Sequence, residues 1–320
     1  MPLPLIPVVI GLVSLVAGGY GVKKGLDAKE DLDRAKSIGI DAERRHKDSI
    51  TSLDEERRIT NSSFEDLGSL KVKIFTHQIK RLVDEIKKRK NSGSKLEDYE
   101  ESIEELNLPN LKKMVLNSLE IETGLLSGTA SGVLAGLGAY GSVGLLASAS
   151  TGTAIASLSG AAATNATLAW LGGGALSAGG LGMAGGMYVL GGIVAGPAIA
   201  ITGFMMASKA EEALTKSLAY KSEVDKKIAE IGGMRVILQG LQANAKEMTR
   251  TLEKLVPFFD DAVNNLSGDD ASFRRLLAVG KGLKSVLETP IMEKDGGVTQ
   301  NLESDLRAKI RHAGMIEYKG

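Results

Sequence analysis

Residues Thr123–Ser208 read TGLLSGTASGVLAGLGAYGSVGLLASASTGTAIASLSGAAATNATLAWLGGGALSAGGLGMAGGMYVLGGIVAGPAIAITGFMMAS, 86 consecutive positions without one Asp, Glu, Lys, Arg or His and with 21 glycines among them. In water each glycine inside a helix costs about 1 kcal/mol against alanine, so this run cannot hold a helix by itself. A bilayer changes the balance, because hydrocarbon offers no competing partner and the backbone must bond within its own helix. Gly124, Gly128, Gly132 and Gly136 recur every fourth residue, as do Gly182 with Gly186 and Gly192 with Gly196. That spacing puts small residues on one helix face, where two backbones can approach closely and gain dispersion contacts that compete with lipid. These eight glycines are the expected helix-packing positions.

The run is uneven along its length. Gly124–Ala147 carries eight Leu/Val residues, and Gly182–Met206 carries seven Leu/Ile/Val/Phe residues and four methionines, so each can span a bilayer. Between them, Ser148–Trp170 is rich in Ser, Thr, Ala and Asn and makes a poor lipid-facing span. The charged flanks stay on one side of the membrane, which requires an even number of crossings. Two crossings joined by the polar middle give a helical hairpin; four would force that middle into lipid or into a shielded interior. Thr164, Asn165 and Thr167 then mark the hairpin tip, with Trp170, the sole tryptophan, at the headgroup level that suits an amphipathic ring.

Working outward, residues 25–122 form a charged helical arm in which Phe64, Leu67, Leu70, Ile74, Leu82 and Ile86 recur at helical intervals. Ser62 followed by Glu65 reads as a capping box, which predicts a helix break near Asn61. A shorter helix through Leu96, Tyr99, Ile103 and Leu106 is expected to stop at Pro109. On the other side, residues 209–259 carry a heptad-like seam from Val224 through Leu241, Met248 and Leu255 to Phe259. Gly232-Gly233 is expected to overwind or break that helix, and Pro257 to end it. Residues 260–320 form small helices. Residues 1–24 are read as an N-terminal membrane-anchor helix: ten strong aliphatics lie between Leu3 and Val16, and Lys23 and Lys24 follow as the first charges. A cleaved signal peptide is disfavoured because no positive region precedes the apolar run. The lysine pair predicts a cytoplasmic side for everything after it. The expected class is therefore all-α, with long amphipathic or coiled-coil helices flanking a Gly/Ala-rich hydrophobic hairpin.

Composition and motifs narrow the function. Lys plus Arg and Asp plus Glu both total 39, so there is no basic footprint for nucleic acid. Absence of cysteine excludes disulfides, thiol catalysis and Cys-ligated zinc. Gly136-Leu-Gly138-Ala-Tyr-Gly141 and Gly180-Leu-Gly182-Met-Ala-Gly185 match a dinucleotide fingerprint in letters only, since no strand precedes them and the next acid is Glu211. Gly280-Lys281 lacks the remaining residues of a phosphate loop. His46, His77 and His312 have no second metal ligand at the helical i+4 position and read as surface residues. Glu55-Glu56, Glu100-Glu101 and Asp260-Asp261 read as solvated faces. No catalytic, cofactor or metal residues are assigned, and an enzyme is not expected.

Ser150–Ile155, the run Ala163-Thr-Asn-Ala-Thr-Leu-Ala-Trp-Leu-Gly-Gly-Gly174, and the opening Pro2–Pro7 with Gly19–Gly25 resemble a family of bacterial proteins of uncharacterised activity. The resemblance implies a bacterial source and supplies no functional residue. In architecture, long helices around a central apolar hairpin are similar to α-helical pore-forming toxins of the haemolysin E and tripartite enterotoxin type, apart from the additional N-terminal apolar run. The expected function is that of an oligomeric, membrane-active protein of the bacterial inner membrane that forms pores or permeabilises the bilayer. The competing expectation is a membrane scaffold or remodelling protein that assembles through its coiled-coil helices and uses the hairpin as anchor. The expected partners are lipid, further copies of the chain and an unidentified protein on the charged helices.

Overall fold

A computed structural model of the chain describes residues 19–91, 100–125, 131–141, 210–293 and 297–312. They form α1 (Gly19–Ile74), a π-helical turn (Phe75–Ile79), α2 (Lys80–Asn91), α3 (Glu100–Leu106), α4 (Leu108–Leu125), α5 (Ser131–Tyr140), α6 (Ala210–Asn264), α7 (Asp270–Glu288) and α8 (Leu302–His312). Among the described residues the β pairing is confined to an isolated antiparallel bridge, Met292 with Val298. The all-α class holds for them.

Three positions expected to interrupt a helix do not break it. α1 runs through Asn61 without a break. The hydroxyls there bond backwards instead of capping a new helix: Thr60 Oγ1 donates to the Glu56 carbonyl at 2.8 Å and Ser63 Oγ to the Ile59 carbonyl at 2.9 Å. Phe64 and Leu67 are fully buried and hold the helix against its core. α6 passes through both Gly232-Gly233 and Pro257. A proline removes one backbone bond and frees the carbonyl four residues earlier. Pro257 and Glu253 are both exposed, so water can serve that carbonyl while Leu252, Leu255 and Phe259 anchor the buried side. The irregularity falls at Phe75–Ile79, where Phe75, Thr76 and Ile79 are buried in the wide turn. Thr76 Oγ1 donates to the Lys73 carbonyl at 3.2 Å, and His77 Nδ1 lies 2.9 Å from the same oxygen. A carbonyl only accepts, so the imidazole proton sits on Nδ1 and His77 serves the turn.

The chain divides into two compact units, Met1–Thr51 with Ala195–Gly232, and Ser52–Val194 with Gly233–Gly320. In the first, Ala42, Tyr220 and Val224 make a small core, with Ile228 packed on it. Arg45 bridges the two helices, donating to Asp225 at 2.7 Å and to Asp41 at 2.9 Å. His46 corrects the expectation of a surface histidine: it is buried, and its Nε2 has no hydrogen-bond partner among the described residues. Burial pushes its pKa down and keeps the ring neutral.

In the second unit α1 and α6 lie side by side. Gln239 donates to Glu56, Gln242 to Thr60, and Gln78 to Asp260, at sequence separations of 183, 182 and 182. A constant separation means that the two helices run parallel. Parallel neighbours need a returning chain between them, and α3, α4 and α5 lie in that interval of sequence. α4 packs on the π turn and α2, and α7 packs on α2, α3 and α8. The seam expected in α6 is the buried one, from Leu238 through Leu241, Ala245, Met248, Leu252 and Leu255 to Phe259. Asn107 turns the chain between α3 and α4 with φ 50°, a conformation asparagine tolerates, and Pro109 sits in the first turn of α4 instead of simply ending α3. Asp269 caps α7 by accepting from Ser272 N at 2.8 Å. Arg89 fastens α2 to this corner, bonding the Gly268 carbonyl and Asp270 while lying 5.2 Å from the Phe273 ring centre.

Candidate functional site at the head of the apolar run

Beyond the three residues Thr123–Leu125 that end α4, α5 is the part of the charge-free run that the structure describes as a helix, and it lies inside the second unit. Val133 to Ala139 are all buried, and Leu134 and Leu137 belong to the main core together with Phe64 and Leu67. Ten residues of helix extend about 15 Å, half of a hydrocarbon core of about 30 Å. The expected span Gly124–Ala147 is not one helix in this state: α5 stops at Tyr140, and Gly141 takes φ 69° at the left-handed position that ends many helices. No helix among the described residues is long and apolar enough to cross a membrane.

Two glycines set how closely α5 sits on α1. A Cβ added to Gly138 would lie 2.1 Å from the Phe64 carbonyl oxygen, and one added to Gly68 would lie 2.1 Å from the Leu134 carbonyl oxygen. As the α1 partner advances from 64 to 68, the α5 partner falls from 138 to 134, so the two helices cross in opposite directions, backbone on backbone. This is close backbone packing within one chain, at Gly138, which lies outside the four-residue series. Gly136 of that series is buried in α5.

The carbonyl end of α5 is closed by other parts of the unit. A helix leaves its last four carbonyls without partners of its own. Lys71, fully buried on α1, points its ammonium at two of them, the Leu137 and Gly138 oxygens, each at 3.4 Å. The Ala139 oxygen accepts from Ile291 N at 2.9 Å and Met292 N at 3.2 Å. Gly141 lies against the Glu288 carbonyl, 2.8 Å from where a Cβ would be. Cationic charge suits the negative end of a helix dipole. Lys71 nonetheless has no carboxylate within ion-pair distance among the described residues, and burial drives its pKa down to about 7.

The other sequence-predicted positions fall as follows. Lys23 and Lys24 lie in the first turns of α1, which begins at Gly19, inside the expected anchor. Gly124 lies in α4 and Gly132 in α5. Gly128, Gly182, Gly186, Gly192, Gly196, Thr164, Asn165, Thr167 and Trp170 lie outside the described residues, as does most of the N-terminal segment. Lys71 and Gly68 were missed, although Lys71 stands seven residues after Phe64 and four after Leu67, on the same stripe. Glu56, read as part of a solvated pair, accepts from Gln239 at 2.8 Å and Gln242 at 3.0 Å; the Gln239 bond first, then the Gln242 bond, lower its pKa.

A pocket of about 340 Å³ is lined by Glu105, Lys281, Lys284, Ser285, Glu288, Ala308 and Lys309. Its cations are matched: Lys281 pairs with Glu105, Lys284 with Glu288 at 2.9 Å, and Lys309 with Asp305 at 3.2 Å. The described residues contain no cluster of His, Asp or Glu able to hold a metal ion. Compared with protein-family models, curated proteins and solved structures, the chain matches none.

Proposed function

We propose that the protein is an oligomeric, membrane-active helical protein of the bacterial inner membrane that permeabilises the bilayer through the 123–208 run. The observation that carries this reading is the run itself, 86 residues without a charge and one-quarter glycine, set between charged helices. In lipid its glycines cease to be a liability, because backbone bonds have no aqueous competitor and small faces pack copy on copy. An asparagine amide facing hydrocarbon alone would cost several kcal/mol, so Asn165 belongs at water, at another copy or in a shielded interior. Burial of α5 fits a stored form in which the bundle keeps the head of the run out of water.

The test is dye release from vesicles of phosphatidylcholine and phosphatidylglycerol by the full-length chain. Release that grows faster than linearly with protein concentration is expected of an oligomer. Vesicle binding without release would overturn the permeabilising function and leave the scaffold, in which the hairpin serves only as anchor.

A further inference from the structure

We infer that Lys71 is the release catch of α5: by burying an amine against the carbonyl end of that helix, the bundle makes the docking of α5 conditional on the charge state of one side chain. The inference rests on the membrane-active reading above and adds to it what holds the apolar run in check.

Three features of the contact carry it. The crossing at Gly68 and Gly138 has no spare room, so α5 is held at a closely fitted seat. Its last carbonyls are served from outside the helix, by Lys71 Nζ and by the backbone of Ile291 and Met292. The Lys71 bonds are long, 3.4 Å each, and go to neutral oxygens, which is little compensation for an ammonium removed from water. Seated, α5 favours the neutral amine; displaced, Lys71 regains water and its proton.

Among the described residues, the charges around this point do not supply a counter-ion. α5 carries no charged side chain, Tyr140 being its one ionisable group. Glu288, beside Gly141, is held by Lys284 at 2.9 Å. On α1, Glu65 has its pKa raised by burial and then by Asp66, which lowers its value as an anion, and Lys73 is an exposed cation. A proton arriving on Lys71 therefore loosens α5 without being neutralised nearby.

The sign follows from linkage. The folded pKa lies below that of a free lysine, so the displaced form binds more protons, and docking is strongest at alkaline pH. It weakens as pH falls from the lysine range toward 7 and levels off below that. With limits of 10.5 and about 7, the opening equilibrium of α5 rises about fifty-fold between pH 9 and pH 7.

Hydrogen exchange of the full-length chain, resolved to the Ser131–Tyr140 segment and corrected for intrinsic exchange, tests this directly, with α7 as internal control. Opening of α5 is expected to rise by that factor from pH 9 to 7 while α7 stays protected. Lys71→Met, similar in volume and unable to ionise, is expected to remove the pH dependence and to slow dye release from phosphatidylcholine–phosphatidylglycerol vesicles at least tenfold at pH 7. The wild-type pH series needs no variant, so the inference can be judged even if Lys71→Met fails to fold; Gly68→Ala, which crowds the same crossing, is expected to raise the opening of α5 with α7 still protected. Exchange of α5 that ignores pH in the wild type, a Lys71→Met variant that opens as the wild type does, or α5 and α7 opening together would overturn the catch. Wild-type protein that releases no dye at either pH overturns the permeabilising function instead, and is distinguished from those outcomes by the exchange data.

Discussion

The same substitution, glycine to alanine in the middle of a helix, should act with opposite signs at Gly138 and Gly233. Alanine is favoured over glycine in a helix by about 1 kcal/mol, a gain available at both sites. At Gly233 nothing among the described residues lies within 4 Å of the added Cβ, so the gain stands alone. At Gly138 the Cβ would sit 2.1 Å from the Phe64 oxygen, where ordinary contact begins near 3.4 Å, so α5 must retreat by about 1 Å from a closely packed core. Overpacking of this kind costs about 1–3 kcal/mol, and here the obstacle is backbone, which cannot rotate away as a side chain would. The net expectation is a stabilisation of about 1 kcal/mol for Gly233→Ala and a loss of up to about 2 kcal/mol for Gly138→Ala, toward the upper end because the obstacle is backbone. At roughly 2–4 °C per kcal/mol for a domain of this size, thermal unfolding followed by circular dichroism should move up a few degrees in one variant and down in the other. A shift of the same sign in both would refute the claim that α5 is seated backbone-on-backbone against α1.

Phe273→Ala should destabilise the second unit by about 3–5 kcal/mol in urea unfolding, since Phe273 is almost wholly buried and carries Arg89 over its ring. His46 titrates in the other direction from a paired histidine: its folded pKa is depressed, so the unfolded chain takes up the proton first and stability of the first unit falls as pH drops below 6.5. His46→Leu should abolish the fall in melting temperature between pH 7.5 and 5; a fall that persists unchanged would place its cause elsewhere. For the hairpin tip, Thr164→Cys, Asn165→Cys and Thr167→Cys in membrane-inserted protein should react with a water-soluble maleimide while Leu126→Cys and Ile193→Cys do not, and protection at all five positions would sink the tip assignment.

What could be read from sequence was periodic. The α6 seam from Leu241 to Phe259 and the α1 stripe at Phe64 and Leu67 are buried as their spacing implied, because a 3.6-residue period places them on one face whatever that face meets. What could not be read was set by partners far away in the chain. Pro257 looked like a helix end, yet a proline breaks a helix only when the freed carbonyl lacks a partner, and exposure of Glu253 and Pro257 removes that condition. Ser62 and Glu65 had the letters of a capping box, but Thr60 and Ser63 bond backwards along a helix already held by Phe64 and Leu67. The parallel course of α6 beside α1 and the π turn rests on Glu56, Thr60 and Gln78 meeting residues more than 180 positions away, a separation that no local pattern encodes.

Lys71 shows the limit most clearly. Its place on the stripe after Phe64 and Leu67 was available, but charge argued for solvent, and Leu70 was the apolar neighbour to choose. The structure leaves Leu70 half-buried and Lys71 fully buried. A drop in lysine pKa from 10.5 to about 7 corresponds to about 5 kcal/mol at about 1.4 kcal/mol per tenfold, a large share of the 5–15 kcal/mol by which folded domains are stable. An apolar residue of similar length would avoid that loss and still fill the space. The contact between α1 and α5 is therefore weaker than its close glycine packing alone would make it, and the weakness is concentrated at the carbonyl end of α5, from which the charge-free run goes on to Ser208.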